Sequence, residues 1–338
     1  MTDAVPARPA CRVCRQALFP EPLVLYRNMP CAAQSFPEAK EPILDRGTDL
    51  AVTQCSVCGL VQLSESQVPY YREVIRASAF SEEMRNFRTQ QFRSWVAEFG
   101  LTGSKVLEIG CGRGEYLSLL MASGVNAHGL EYSADAVKAC TAQGLSVQRG
   151  FVADSLSALA GRPFDAFFCF NFMEHWPDPV ASLRGIRDQL GDGGLGFVEV
   201  PNFDMILEKG LYSEFISDHL SYFTAESLAF TLQQSGFELL RCECIWHDYI
   251  LSAVVRKRSP VDLSLLHTRR IEITEALQTF IAGFPASSVA IWGAGHQALA
   301  TIALTGIGSS IKYVVDSAPF KQGKLTPATH IPIVPPSA

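Results

Sequence analysis

Residues 105–117, KVLEIGCGRGEYL, constrain the fold more than any other stretch: an apolar run ends in three alternating glycines, and helix-forming residues follow at once. That order describes a strand, a tight turn and a helix, the opening unit of a parallel α/β sheet. The residues behind it repeat the alternation. Helical stretches at 115–123, near 133–143 and near 178–190 interleave with the apolar runs NAHGLE, LSVQRG, FDAFFCFN and GLGFVEVPN. Such crossovers join parallel strands with a right-handed connection. A further helix is expected over 226–236, and residues 237–256 read as two strands, the second being DYILSAVVRKR, which finish the sheet in antiparallel pairing. Upstream, Phe80, Met84, Phe87, Phe92, Trp95, Val96 and Phe99 recur near a helical period, and Gly100 closes that helix.

In an open parallel sheet the ligand lies beyond the carboxyl ends of the strands, and the loop after the first strand passes closest to it. Gly110, Gly112 and Gly114 occupy that loop, where glycine permits positive φ and keeps a Cβ away from the ligand. The lysine and hydroxyl of a triphosphate-cradling loop are absent, and G-C-G-R-G departs from the dinucleotide spacing. Glu108, two residues ahead of the first glycine, repels a pyrophosphate and suits an amino-bearing or cationic ligand. Glu131, in HGLEYS, ends the second strand, where a carboxylate can accept both hydroxyls of a ribose.

These residues resemble the class I S-adenosylmethionine-dependent methyltransferases over roughly 105–256. The resemblance implies that Gly110, Cys111, Gly112 and Gly114 pass under the methionyl part, that Glu131 holds the ribose, and that Phe151 and its neighbours face the adenine. Glu108, Tyr132 and Asn171 complete the expected cofactor-contacting set. NFMEHWPDP at 171–179 looks like the loop that meets the methyl acceptor.

Four cysteines come as two pairs, CRVC at 11–14 and CSVC at 55–58. Each C-x-x-C turn points two thiolates at one metal, and two turns complete a tetrahedral shell with no open position. The start, MTDAVPARPA, shows no charged-then-apolar leader, and no run reaches the ~18 apolar residues of a membrane span. A cytoplasmic chain is expected, in which thiols stay reduced, so Cys11, Cys14, Cys55 and Cys58 are read as ligands of a structural zinc. Cys31 has no partner at ligand spacing. The formal charge of -6 provides no basic surface for nucleic acid.

A helix near 262–283 leads to VAIWGAG at 289–295, a helix near 296–305, the strand IKYVVDS at 311–317 and one more short strand. WGAGHQA looks like a dinucleotide turn, and Asp316 follows Gly293 by 23 residues, close to the spacing of a ribose-binding acid. Glutamine or alanine, however, stands where a third glycine permits close packing. The preferred reading is therefore an inherited shape that encloses substrate, ahead of a second site for NAD. A sheet of two or three strands is thin, so this unit either leans on the rest of the protein or continues past the residues given.

Paired cysteines, a class I domain and such a tail together resemble the bacterial sugar C-methyltransferases that alkylate nucleotide-linked keto-deoxysugars. The resemblance spans essentially the whole chain. The family's Tyr-x-Glu-His segment ahead of a Ser-Tyr-Phe run reads EFISDHLSYFT here, at 214–224. His219 matches the histidine, Asp218 the acid with one methylene fewer, and Ile216 replaces the tyrosine. C-methylation beside a ketone needs a base for the α-proton and donors for the enolate. His219 is expected as the base, and Asp218 as its tautomer-setting partner or as a contact to a substrate hydroxyl. His175 is the rival base or an enolate donor, and Tyr222, Tyr70 and Tyr71 are candidate phenolic donors.

The expected fold class is α/β: a zinc-binding module over 1–68, a class I Rossmann-like methyltransferase domain with a helical lead-in over 69–258, and a C-terminal Rossmann-like α/β domain over 259–338 with a short end. The expected partner is a small molecule, a nucleotide-sugar. An O- or N-methyltransferase on the same scaffold, and a non-catalytic protein that holds S-adenosylmethionine, are the alternatives.

Overall fold

The computed structural model describes residues 10–34, 36, 46–73, 81–153 and 158–338. Phe80, counted above into the first helix, lies outside these residues. The chain begins with three short strands, β1 (Val24–Met29), β2 (Thr48–Gln54) and β3 (Val61–Leu63), and then enters α1 (Glu82–Glu98). Ser81 caps this helix, its side chain accepting from the Met84 amide at 3.1 Å, and Gly100 follows its end at φ 64°. The alternating core is β4 (Lys105–Ile109), α2 (Glu115–Ala122), β5 (Asn126–Glu131), α3 (Ala134–Ala142), β6 (Ser146–Arg149), β7 (Phe164–Phe170), α4 (Pro179–Arg187) and β8 (Leu190–Pro201). Then come α5 (Phe203–Glu208), β9 (Ser221–Tyr222), α6 (Ala225–Gln234), β10 (Phe237–Ile245) and β11 (Ile250–Lys257).

Seven strands form one sheet in the order β10-β11-β8-β7-β4-β5-β6. The five from β4 to β8 run parallel, while β11 lies antiparallel to both β8 and β10, as the sequence pattern implies. β7 is central, and every residue of FDAFFCF except Asp165 is buried, the continuous apolar run of a strand covered on both faces. Phe92 and Trp95 of α1 cover one face, stacking against Phe168, Phe170 and Phe197 with ring centroids between 4.6 and 6.2 Å apart. α1 is thus an integral layer of the sheet domain.

A second sheet has the order β1-β2-β3-β9. Its last strand comes from the chain far downstream: Val61 pairs with Tyr222 and Gln62 with Ser221. The N-terminal module therefore grips the segment that carries the predicted active-site residues. Cys11, Val13, Cys55 and Leu60 also share one core with Phe172, Met173 and Trp176.

Residues 1–259 form one compact unit and 260–338 another. The second contains α7 (Ser264–Ala282), β12 (Val289–Trp292), α8 (His296–Thr305), β13 (Ile311–Val315) and β14 (Ile333–Val334). Its three strands are parallel in the order β12-β13-β14, around a core of Ile302, Ile307, Ile311, Val314, Ile331 and Ile333. No helix among the described residues is long and apolar enough to cross a membrane.

Candidate active site

The turn after β4 holds Gly110, Gly112 and Gly114 at φ 66°, 56° and 87°. A Cβ on Gly110 would lie 2.7 Å from the Phe172 ring, and one on Gly114 would lie 2.3 Å from Leu145. Backbone conformation and space both demand glycine there. Glu131, at the end of β5, accepts from the Gly112 amide at 2.9 Å and from the Ser133 amide at 2.8 Å. One carboxylate thus fixes the glycine loop against the start of α3. Cys111 is buried in the same turn, which pushes its thiol well above the ordinary range, and the Cys140 thiol donates to the Gly112 carbonyl at 3.3 Å.

Beside this turn lies a narrow cleft lined by Gly110, Glu131, Tyr132, Phe151, Phe172 and Arg72. The Arg72 guanidinium stands 5.3 to 5.5 Å from the ring centroids of Tyr71, Tyr132 and Phe151. Of the expected cofactor-contacting residues, Gly110, Glu131, Tyr132 and Phe151 line this cleft, while Cys111, Gly112 and Gly114 continue the turn beside it, Cys111 fully buried. Asn171 follows β7 directly, its amide donating to the Glu199 carbonyl at 2.8 Å, and Glu108 is buried in β4. Arg72 was missed in the sequence because nothing local marks an arginine that stacks on rings from three segments.

The 171–179 loop, expected to meet the methyl acceptor, turns through a single 3-10 turn, Met173–His175. His175 Nδ1 lies 2.8 Å from the Asp218 carbonyl, and the Leu220 amide donates to the Glu174 carbonyl at 2.8 Å. These bonds lock the two predicted site segments together, and the rings of His175 and His219 meet edge to face with centroids 4.8 Å apart. A carbonyl only accepts, so Nδ1 of His175 carries the proton and Nε2 keeps its lone pair. Burial lowers the His175 pKa to about 4, and burial with the neighbouring His175 lowers His219 well below its ordinary value. Glu174 is buried beside them and burial raises its carboxyl to about 8.

Two side chains take other roles than their sequence positions suggest. The Asp218 carboxylate is not directed to the His219 ring; it accepts from the Tyr70 hydroxyl at 3.0 Å and from the Ala33 amide at 2.8 Å. It positions His175 through its backbone carbonyl instead. The Tyr222 hydroxyl accepts from the Ile216 amide at 3.1 Å and donates to the Ile216 carbonyl at 3.4 Å, closing the loop rather than facing a substrate. Tyr70 brings a hydroxyl to Asp218 from outside a segment in which Ile216 has none.

The four paired cysteines converge. Cys11 and Cys58 sulfurs are 3.5 Å apart, Cys14 and Cys55 sulfurs 3.4 Å, and all four lie within 4.8 Å of one another. Zinc–sulfur bonds of about 2.3 Å in a tetrahedron need sulfurs about 3.8 Å apart, so the set fits with small adjustments. Amides of Val13 and Cys14 point at Cys11 Sγ, and those of Val57 and Cys58 at Cys55 Sγ, at 3.4 to 3.5 Å. Between the cysteines, Arg12 donates to the carbonyls of Leu63, Glu65 and Pro177, and Arg15 pairs with Asp178. The cysteine turns therefore brace both β3 and the acceptor loop.

A glycine turn after the first strand of this sheet, tied to a carboxylate at the end of the second, defines a class I S-adenosylmethionine-dependent methyltransferase, and the chain is one. Residues 84–241 match the family model of the methyltransferase domain and residues 267–338 that of the C-methyltransferase C-terminal domain. The chain is 24% identical to C-methyltransferase NovU of Streptomyces niveus, over 98% of this chain and 87% of that protein. It is 32% identical to the ubiquinone biosynthesis O-methyltransferase of Xanthomonas oryzae pv. oryzae over 31% of this chain, a segment that spans 46% of that protein. Among solved structures, the plantazolicin methyltransferase BpumL in complex with SAH matches 52% of this chain and 84% of its own at 13% identity and a TM-score of 0.41.

Proposed function

We propose that the protein transfers the methyl group of S-adenosylmethionine to a carbon beside a carbonyl, on a nucleotide-linked keto-deoxysugar, with His219 taking the α-proton. The observation that carries this reading is the packing of His219 against His175, on loops that follow the strand ends where the cofactor turn lies. An unprotonated imidazole is required to accept the proton, and burial keeps His219 in that form at neutral pH. His175, with Nδ1–H committed to the Asp218 carbonyl, presents a lone pair and not a donor, so the enolate oxygen takes its hydrogen bonds elsewhere.

On this reading Glu131 binds the ribose, Phe151 and Tyr132 flank the adenine, and the glycine turn lies under the methionyl group. Asp218, His175 and Tyr222 shape the segment that presents His219. Zinc at Cys11, Cys14, Cys55 and Cys58 is structural, since four thiolates fill its shell. The parts are a zinc module over 1–68, the methyltransferase domain over 69–258 and a substrate-enclosing domain over 259–338. In that last part the Asp316 carboxylate accepts from the Ala294 amide at 2.7 Å and pairs with Lys321 at 2.9 Å, which leaves it committed where NAD would need it. Four metal-bound thiolates and six further cysteines outside any disulfide suit a reducing cytoplasm.

A second reading, O-methylation with His219 taking a hydroxyl proton, is favoured by the segment shared with the ubiquinone-pathway enzyme. Product NMR after incubation with S-adenosylmethionine and a nucleotide-linked keto-deoxysugar separates the two. A new carbon-bound methyl supports C-transfer, and an oxygen-bound methyl supports the second reading.

A further inference from the structure

Apart from the cysteines, one more set of described side chains has metal-ligand chemistry: Glu174, His175 and His219, whose ligand atoms all lie within 4.8 Å of one another. We propose that this trio binds one divalent transition-metal ion of the zinc and cobalt class, and that the ion takes up the lone pair of His219. Only the consequence for turnover rests on reading His219 as the base.

Three features favour an ion here. First, bonds of about 2.0–2.1 Å in a tetrahedron place donor atoms about 3.4 Å apart, so side-chain rotations that close the present spacing by about an ångström bring all three onto one ion. Second, Glu174 is 2% exposed, and its Oε2 is buried without a hydrogen-bond partner while its Oε1 lies 3.9 Å from His175 Nε2. A buried carboxyl oxygen in that condition is costly unless a cation or donor reaches it. Third, His175 donates Nδ1–H to a backbone carbonyl at 2.8 Å, the outer bond that fixes a histidine's tautomer and aims its other nitrogen at a metal.

The bond from the His175 ring to the Asp218 carbonyl and the backbone bond from the Leu220 amide to the Glu174 carbonyl hold the two ligand-bearing segments in place before any ion arrives. Two imidazoles and one carboxylate suit zinc, cobalt or iron better than magnesium or calcium, which prefer oxygen ligands. Three protein ligands leave a position open to solvent or to an acceptor oxygen. The site joins the 171–179 loop to the 214–224 segment and is chemically distinct from the four-thiolate cluster.

The test uses the full-length protein with zinc already at the cysteines, titrated with Co2+. The expected result is one further equivalent showing ligand-field absorption without a thiolate-to-cobalt charge-transfer band. Glu174→Gln and His219→Ala should each weaken this binding at least tenfold while zinc content and far-UV circular dichroism stay unchanged. X-ray absorption of the wild-type cobalt complex should show two imidazole nitrogens, and it decides the matter if either variant fails to fold. No second equivalent, a thiolate signature, or a shell without imidazole overturns the site. Turnover should fall in step with cobalt occupancy. Full turnover at full occupancy overturns the masking of His219, and with it the base reading, while spectroscopy alone decides the site.

Discussion

Arg88 is completely buried on α1, with Nη1 at 2.5 Å from Glu199 Oε2, and Gln91 bridges the pair with bonds of 2.7 Å to each. Its guanidinium also lies 5.0 to 5.4 Å from the rings of Tyr116, Phe170 and Phe87. Replacing it by methionine keeps most of the stem packing but leaves the Glu199 charge inside the fold. Removing one partner of such a pair costs about 3–5 kcal/mol. Gln91 still donates to Glu199, which places the expected loss near the lower end, about 3 kcal/mol. With a urea slope of about 3 kcal/mol per molar for a domain of this size, the midpoint falls by about 1 M. The double change Arg88→Met with Glu199→Leu should return to within about 1 kcal/mol of wild type, because an apolar replacement of the whole pair is often neutral. Urea unfolding followed by tryptophan fluorescence reads this directly, since Trp95 lies on the same helix and packs on Phe197 at 4.6 Å. A midpoint shift below about 0.3 M for the single change, or a double variant as weak as the single one, refutes the reasoning.

Other perturbations follow from the same geometry. Gly110→Ala forces a left-handed residue against the Phe172 ring, and should cost about 2–4 kcal/mol and weaken S-adenosylmethionine binding at least tenfold by calorimetry; unchanged affinity contradicts the placement of the cofactor. Removing the zinc proposed at the cysteine cluster should abolish turnover before cofactor binding, because Arg12 and β3 brace the 171–179 loop and β9; full activity in metal-free protein contradicts that coupling. Asp316 is held at about 2 by the Ala318 amide, Lys321 and the Ala294 amide. A depressed carboxylate stabilises the fold above its unfolded value of about 3.9, and this stabilisation is lost as pH falls toward 2. A carbon-detected NMR titration of Asp316 should give a midpoint near 2, and a midpoint near 4 contradicts its bonding.

The sheet was legible because its signals are local: glycines behind an apolar run, strands and helices at short intervals, and paired cysteines at ligand spacing. The glycine turn and Glu131 meet in the structure as the strand order requires. What the sequence hid depends on contacts between distant segments. β9 is two residues long and exists through pairing with β3, so no periodicity announces it. The polar atoms of Asp218 and Tyr222 are directed by Tyr70, Ala33 and Ile216, which sequence spacing does not reveal. Glu174 was read only as part of the acceptor loop; its adjacency to His175 was the available signal, and its approach to His219 came from the fold. Arg88 and Glu199 show the same thing in the core, where two charges 111 positions apart in the chain satisfy each other.

The central claim, that His219 removes a proton from carbon, is tested most directly by exchange without transfer. A nucleotide-linked keto-deoxysugar is incubated in deuterated water with the enzyme and the demethylated cofactor, and NMR follows the proton beside the carbonyl. Wild-type protein should exchange that proton for deuterium, while His219→Ala should lose the exchange and still bind S-adenosylmethionine with near wild-type affinity. Exchange that persists in His219→Ala contradicts the account.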